Sequence, residues 1–252
     1  MNLISSISTN NRARIRHIID RISGVESIRK QTRVIGIIGY TMLRRRIFEE
    51  LKIDLVIDVG ANIGQFVQSL RTFYQGDIIS FEPVPPTFKI LTETAMGDKK
   101  WHCKNIALGG DKSVLTIHVP TDSAMSSFHK MNDFCETKFS LSATEATQFE
   151  VPVTRLDEIL SETFPDWKAR NIFLKIDTQG YDLEVFKGVG NTLSRISALQ
   201  SEISQIPLYE NMPDWKNSLA VFEEAGFALS GLFPVTMEKL NAIEFDCLMT
   251  KS

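Results

Sequence analysis

Cysteine is scarce in this sequence. The three present, Cys103, Cys135 and Cys247, stand far apart, form no CxxC pair and leave one unmatched, which excludes a disulfide framework and a zinc ribbon. Long apolar runs are also missing. The longest, VIGIIGYTML at 34–43, has ten residues, whereas a membrane-spanning helix needs about 20. No charged start leads into an apolar stretch and a small-residue cleavage site, so a cytoplasmic address is the default expectation. There are four histidines, with no tight acidic loop or histidine cluster around them, and no metal site is expected. Internal repeats and low-complexity tracts are absent as well.

What remains is an ordinary globular composition, 43% hydrophobic and 23% charged over 252 residues, enough for one large domain with a sizeable core. The net charge of −3 conceals an asymmetry. Residues 1–52 hold 11 Lys and Arg against 4 Asp and Glu, while residues 53–252 hold 17 against 27. A basic arm on an acidic body suits an anionic partner, with a solvated helical face as the plainer reading. The run at 34–43 lies between Arg33 and Arg44, Arg45 and Arg46, a pattern that fits a helix lying on an anionic membrane surface or packing on the body. Peripheral membrane contact or a homodimer are the expectations for the arm.

Apolar residues Ile15, Ile18, Ile19 and Ile22 recur at helical spacing, so residues 9–52 read as helix interrupted near Gly24. Residues 1–50 are therefore expected to form a basic helical extension and 51–252 the main domain. From Leu51 the pattern changes to LKIDLVIDVG, a buried strand ending in glycine, then ANIGQFVQSLRTFY, a helix. The alternation continues with GDIISFEP, KKWHCKNIALGG, SVLTIHVP, RNIFLKIDTQG and ISALQSEIS as strands, and PPTFKILTETAMG, TRLDEILSETF, YDLEVFKGVGNTLSRI and DWKNSLAVFEEAGF as helices. ALSGLFPV and IEFDCLMTK close the chain as two strands with no helix between them, so one must run antiparallel to the rest. The polar segment Thr121 to Glu150 has no strong period and reads as an insertion. Such alternation implies an α/β protein with a mostly parallel sheet covered on both faces.

The chemistry concentrates in two places. In Asp58-Val-Gly60-Ala-Asn62-Ile-Gly64, where the first strand meets its helix, Gly60 permits a sharp turn and the helix start offers NH groups to a ligand. Glu82, twenty-two residues after Gly60 at the end of the second strand, can accept from both hydroxyls of an adenosine ribose. A dinucleotide fingerprint wants glycine where Asn62 stands, and Asp58 would face a pyrophosphate, so NAD fits poorly and S-adenosylmethionine, with its cationic centre, fits better. The second place is Lys175-Ile-Asp177-Thr-Gln179-Gly180-Tyr181. Asp177 ends a central strand and should point into the cleft, Lys175 shares its face, and Glu202 ends the next strand. Lys175, Asp177 and Glu202 are the candidate catalytic set, with Lys175 acting as a base if burial lowers its pKa, or pairing with Asp177 and positioning it. His129, Gln179, Tyr181, Tyr209 and Trp215 are candidates for the acceptor side.

The phrases LVIDVGANIGQFVQSLR, ISFEPVPPTF, NIALGG, AMSSF, VPVTRLDEIL and LKIDTQGYDLEVFKGVG follow one another between Asp54 and Lys251. In that order they resemble the FkbM-type S-adenosylmethionine-dependent methyltransferases. The resemblance implies a Rossmann-like class I methyltransferase sheet of seven strands with the last antiparallel. It also implies methyl transfer to oxygen, with a saccharide or secondary-metabolite hydroxyl as acceptor. By matching motif, Asp58, Gly60 and Asn62 would line the methionine part, Glu82 the ribose, and Asn105 and Ala107 the adenine, with Asp177 beside the sulfonium. A small molecule or glycan is thus the expected partner and nucleic acid is not. Methylation of RNA ribose and a cofactor-binding scaffold without transfer stay as alternatives. The resemblance leaves residues 1–50 unaccounted for.

Overall fold

The structure, a computed structural model, describes residues 25–251. The chain divides after residue 43 into two units. Of the first unit the described residues belong to a helix, α1 (Val25–Glu50), which continues into the second. The helical expectation for residues 9–24 and the interruption near Gly24 lie outside the described residues.

The second unit contains β1 (Leu55–Val59), α2 (Gln65–Leu70), β2 (Asp77–Phe81), α3 (Pro85–Thr94), β3 (Trp101–Lys104), β4 (Ala107–Leu108) and β5 (Ser113–Val119). It continues with α4 (Asp133–Phe139), β6 (Thr147–Thr154), α5 (Leu156–Thr163), β7 (Ile172–Ile176), α6 (Asp182–Lys187), β8 (Ile196–Ser204), α7 (Trp215–Glu224), β9 (Phe227–Glu238) and β10 (Asn241–Lys251). Seven strands form one sheet in the order β3-β2-β1-β7-β8-β10-β9. β10 runs antiparallel to both β8 and β9, while β3, β2, β1, β7 and β8 pair in parallel. The seven-stranded Rossmann-like sheet with an antiparallel last strand is therefore present. β9 and β10 meet in a tight turn with Lys239 at φ 54, and this hairpin lets β10 enter the sheet between β8 and β9.

β1 and β7 are buried at every position, as central parallel strands covered on both faces must be. One face packs Leu55, Ile57, Leu174 and Ile176 against Leu156, Leu160, Val185 and Phe222 of the helices. On the other, Phe48 lies 4.7 Å from the Phe173 ring and 5.1 Å from Tyr74.

Two expectations are corrected. The stretch KKWHCKNIALGG is not one strand: Asn105 and Ile106 break it, so that β3 joins the large sheet and β4 a second one of order β4-β6-β5. The segment 121–150 is not a featureless insertion. It holds a 3-10 turn (Ser123–Met125), α4 capped by Asn132, whose side chain accepts from the Cys135 amide, and the first half of β6. In β6, Phe149, Val151 and Val153 alternate inward against Ile117 and Val84. That period of two was obscured because the strand starts inside the polar stretch, with Thr147, Gln148 and Glu150 around Phe149. The three cysteines are free thiols.

Candidate active site

β1 delivers the chain to Gly60, which turns at φ 73 so close to the exit of β7 that a Cβ there would sit 1.8 Å from the Asp177 carbonyl oxygen. The next residues spend their amides internally. Gly60 N and Ala61 N both donate to Phe81 O at 3.1 Å, and Asn62 N donates to Glu82 Oε2 at 2.9 Å. The amides of these three residues are therefore spent on β2 and its end, and the helix start itself comes later, at Gln65. Asn62 adopts φ 47 and its Oδ1 accepts from Ser123 Oγ at 3.2 Å.

Beneath the turn lies a buried polar row. Trp101 Nε1 donates to Ser80 Oγ, Ser80 Oγ donates to Asp58 Oδ2, each at 2.9 Å, and Lys175 Nζ stands 3.2 Å from Asp58 Oδ1. In-register pairing places Ser80, Asp58 and Lys175 side by side on adjacent strands, and their side chains share one face of the sheet. Asp58 is fully buried, and neither it nor Lys175 is on the cleft wall. The charge of Asp58 is balanced by Lys175, which also donates to Gly60 O at 2.8 Å and so fixes the turn from below. Of the two readings of Lys175, base or partner of Asp177, the geometry favours pairing, with Nζ 3.5 Å from Asp177 Oδ2. Burial pulls the Lys175 pKa down, but the facing carboxylates of Asp58 and Asp177 raise it above its ordinary value.

The cleft opens at the carboxyl ends of β1, β2 and β7. Glu82, Asn62 and Pro83 line one side, Ala107, Leu108 and Ile117 an apolar strip, and Asp177, Thr178 and Gln179 the far end. Glu82 accepts from Asn62 N and Val84 N, both at 2.9 Å, and burial pushes its carboxyl up to about 7 against the pull of those donors. Ala107 is on the wall as expected. Asn105 is not: it is exposed and its amide donates to the carbonyls of Glu82 and Pro83, fixing the loop behind the strip.

Asp177 and Glu82 are the two carboxylates on the cleft wall. Asp177 Oδ2 is 3.5 Å from Lys175 Nζ, and Oδ1 accepts from Gln179 Nε2 at 3.0 Å. Glu202 does not share this wall, contrary to expectation. It sits one strand further out behind Gln179, whose Nε2 donates to Glu202 Oε2 at 2.8 Å. Burial, with Asp177 and Glu244 nearby, raises its carboxyl well above the usual range. Tyr209 is buried and reaches the site through its hydroxyl, 2.9 Å from Gln179 Oε1 and 3.1 Å from Met125 O. His129, beside Tyr181, and Trp215, packed on Phe245, are both off the wall.

A strap from the 121–150 segment closes the cleft. Ser123, Ala124, Ser126, Ser127 and Phe128 line it, and Ser127 Oγ donates to Gln179 O at 2.7 Å. Ser80, Ser123 and Met125 were not singled out in the sequence, because single serines and a carbonyl carry no local signal. The chemistry of the wall fits S-adenosylmethionine: an apolar strip for a flat base, a carboxylate for ribose hydroxyls, and a second carboxylate at the far end for a cationic centre.

A doubly wound sheet with an antiparallel last strand and a nucleoside-shaped cleft at its carboxyl edge defines the class. The methyltransferase FkbM domain model matches residues 58–229, and the chain belongs to that family. Methyltransferase sdnD of Sordaria araneosa is 30% identical over 154 residues, 53% of this chain and 60% of that protein. The hexuronic acid methyltransferase AglP of Haloferax volcanii is 27% identical over 184 residues, 71% of this chain and 68% of that protein. Among solved structures, magnesium protoporphyrin IX methyltransferase (ChlM) from Synechocystis PCC 6803 with bound SAM superposes at a TM-score of 0.46 and 9% identity, covering 97% of this chain and 92% of that one. No helix among the described residues is long and apolar enough to cross a membrane.

Proposed function

We propose that the protein is an S-adenosylmethionine-dependent O-methyltransferase acting on a neutral hydroxyl of a saccharide or secondary metabolite. The observation that carries this is Asp177, a carboxylate held on the cleft wall by Gln179 and Lys175 at the end of the strand next to the Gly60 turn. S-adenosylmethionine supplies an electrophilic methyl group on a sulfonium and leaves as a neutral thioether. Glu82 and the apolar strip orient the nucleoside, and the strap from Ser123 to Phe128 excludes water. Asp177 takes the acceptor's proton as its oxygen bonds to the methyl carbon, a contribution worth about 10² to 10⁴ in rate. Alignment of the two reactants in the closed cleft supplies much of the rest.

The acceptor class follows from the wall. Asp177 is a carboxylate facing the cleft, and a hydroxyl, which needs a base, is favoured. The 27% identical hexuronic acid methyltransferase supports a saccharide. For the basic arm, peripheral contact with an anionic membrane surface is the reading carried forward, supported by its charge and by exposed Ile38 and Met42 on α1.

The test is calorimetry with S-adenosylhomocysteine together with transfer of a tritiated methyl group from S-adenosylmethionine to a panel of neutral methyl glycosides. Binding in the wild type, loss in Glu82→Ala, and transfer slowed about 10²- to 10⁴-fold in Asp177→Asn with binding retained are expected. Absence of binding in folded wild type overturns the reading.

A further inference from the structure

Gln179 occupies an unusual position. Its backbone is in the left-handed region at φ 52, which a β-carbon residue adopts only when its surroundings hold it there. Those surroundings come from three separate parts of the chain. Ser127 Oγ of the strap donates to its carbonyl, the Tyr209 hydroxyl reaches its Oε1, and its Nε2 donates to both Asp177 and Glu202.

The side-chain amide has two N–H donors and one carbonyl, and each has a partner. Its orientation is fixed by chemistry, since the flipped amide would set Oε1 against the Asp177 carboxylate and its NH₂ against the Tyr209 hydroxyl hydrogen. No charged residue could replace it without cost. A carboxylate would repel Asp177, and an ammonium has no acceptor for the Tyr209 hydroxyl. Tyr209 in turn shares its single hydroxyl hydrogen between Gln179 Oε1 and Met125 O, so the same tyrosine touches the strap and the amide.

We propose that Gln179 is the positioning residue of the reaction: its amide aims the Asp177 carboxylate at the acceptor, and the closed strap holds it there, Ser127 through the Gln179 backbone carbonyl and Met125 through the Tyr209 hydroxyl that fixes the amide. This rests on the reading of Asp177 as the proton acceptor. Closure over bound reactants and assembly of the base become one event, because the strap's Ser127 and Met125 contact the residues that orient Asp177. Glu202 serves as the second acceptor that keeps the amide plane from rotating, which gives this half-buried side chain behind the wall a role.

The test uses the full-length protein as wild type, Gln179→Met, Tyr209→Phe, Asp177→Asn and the double variant Gln179→Met/Asp177→Asn. Methionine keeps the length of glutamine and removes only the amide. With tritiated S-adenosylmethionine and the best methyl glycoside of the panel, Gln179→Met is expected to lower kcat roughly 10- to 100-fold, a part of what a base contributes. KM for the glycoside should stay within about threefold, as befits an interaction that matters in the transition state. On the Asp177→Asn background the same change should cost nothing further, whereas a merely structural role would multiply. Tyr209→Phe should lower kcat in the same sense by a smaller factor, and it carries the test if Gln179→Met fails to fold. Equal losses on both backgrounds, or a rise in KM with kcat unchanged, overturn the proposal.

Crystals of wild type and Gln179→Met, each grown with S-adenosylhomocysteine, give a readout that needs no acceptor. Asp177 is expected to leave its wild-type rotamer in the variant, and an unchanged, ordered Asp177 overturns the proposal. If the wild type binds no S-adenosylhomocysteine, the methyltransfer reading fails by itself, while the Asp177 rotamer in ligand-free crystals still decides what Gln179 does.

Discussion

Replacing Lys175 by methionine removes the ammonium under the Gly60 turn and leaves Asp58 buried with Ser80 as its hydrogen-bond donor. The two charged atoms are 3.2 Å apart, with side chains 5% and 0% exposed. At an effective dielectric of about 20 the attraction amounts to about 5 kcal/mol. Breaking a buried pair by removing one member costs about 3 to 5 kcal/mol, chiefly because a charge is left without compensation. At roughly 2 to 4 °C per kcal/mol for a chain of this size, Tm should fall by about 6 to 20 °C. Asp58→Asn/Lys175→Met should recover more than half of that. The amide still accepts from Ser80 Oγ, and the methionine stem still lies by the Phe66 ring, where Lys175 Nζ sits 5.6 Å from the centroid. What stays lost is the donor to the Gly60 carbonyl, worth about 1 kcal/mol. Denaturant melts of the four proteins close a double-mutant cycle. A coupling energy below about 0.5 kcal/mol would refute the reasoning, since it would mean that the two charges do not depend on each other.

Gly60→Ala should unfold the turn or abolish S-adenosylhomocysteine binding, because its Cβ meets a backbone carbonyl at 1.8 Å. Gly97→Ala, at φ 90 with nothing within 4 Å, should cost only about 1 kcal/mol of left-handed strain in a thermal melt. Burial raises Glu82 and Glu244 to about 7 and Asp182 to about 6. The folded protein therefore holds protons that the unfolded chain has released, so stability present near pH 4.5 is lost as pH rises to about 7. Tm measured at pH 5, 6, 7 and 8 should fall with a slope that Glu244→Gln reduces, and a flat or rising profile in the wild type would contradict it. Co-sedimentation with anionic vesicles should be present at low salt, decline as salt screens the basic arm, and disappear on deletion of residues 1–43; binding that ignores salt would count against the electrostatic reading.

Much of this protein was legible locally. β-branched runs such as LVIDV and IFLKI announced buried strands, Gly60 announced a turn, and the missing helix between the last two strands announced an antiparallel pair. Glu82 and Asp177 were found because each ends a parallel strand, and strand ends define where a ligand sits. These are short-range properties, fixed by the residue and its few neighbours in the chain. What the tertiary structure decided is the state of each group. Asp58, Lys175 and Ser80 are more than twenty residues apart, and only strand register turns them into one neutral buried row, taking Asp58 off the wall and keeping Lys175 charged. Glu202 reads as a strand end like Asp177, yet β8 runs on to Ser204 and Gln179 lies between Glu202 and the cleft, a matter of one loop's conformation. The strap and the second sheet arise from contacts between segments whose own patterns are weak. Sequence patterns record which residues prefer burial or a turn, whereas protonation, pairing and facing depend on distances between strands that are set only when the sheet assembles.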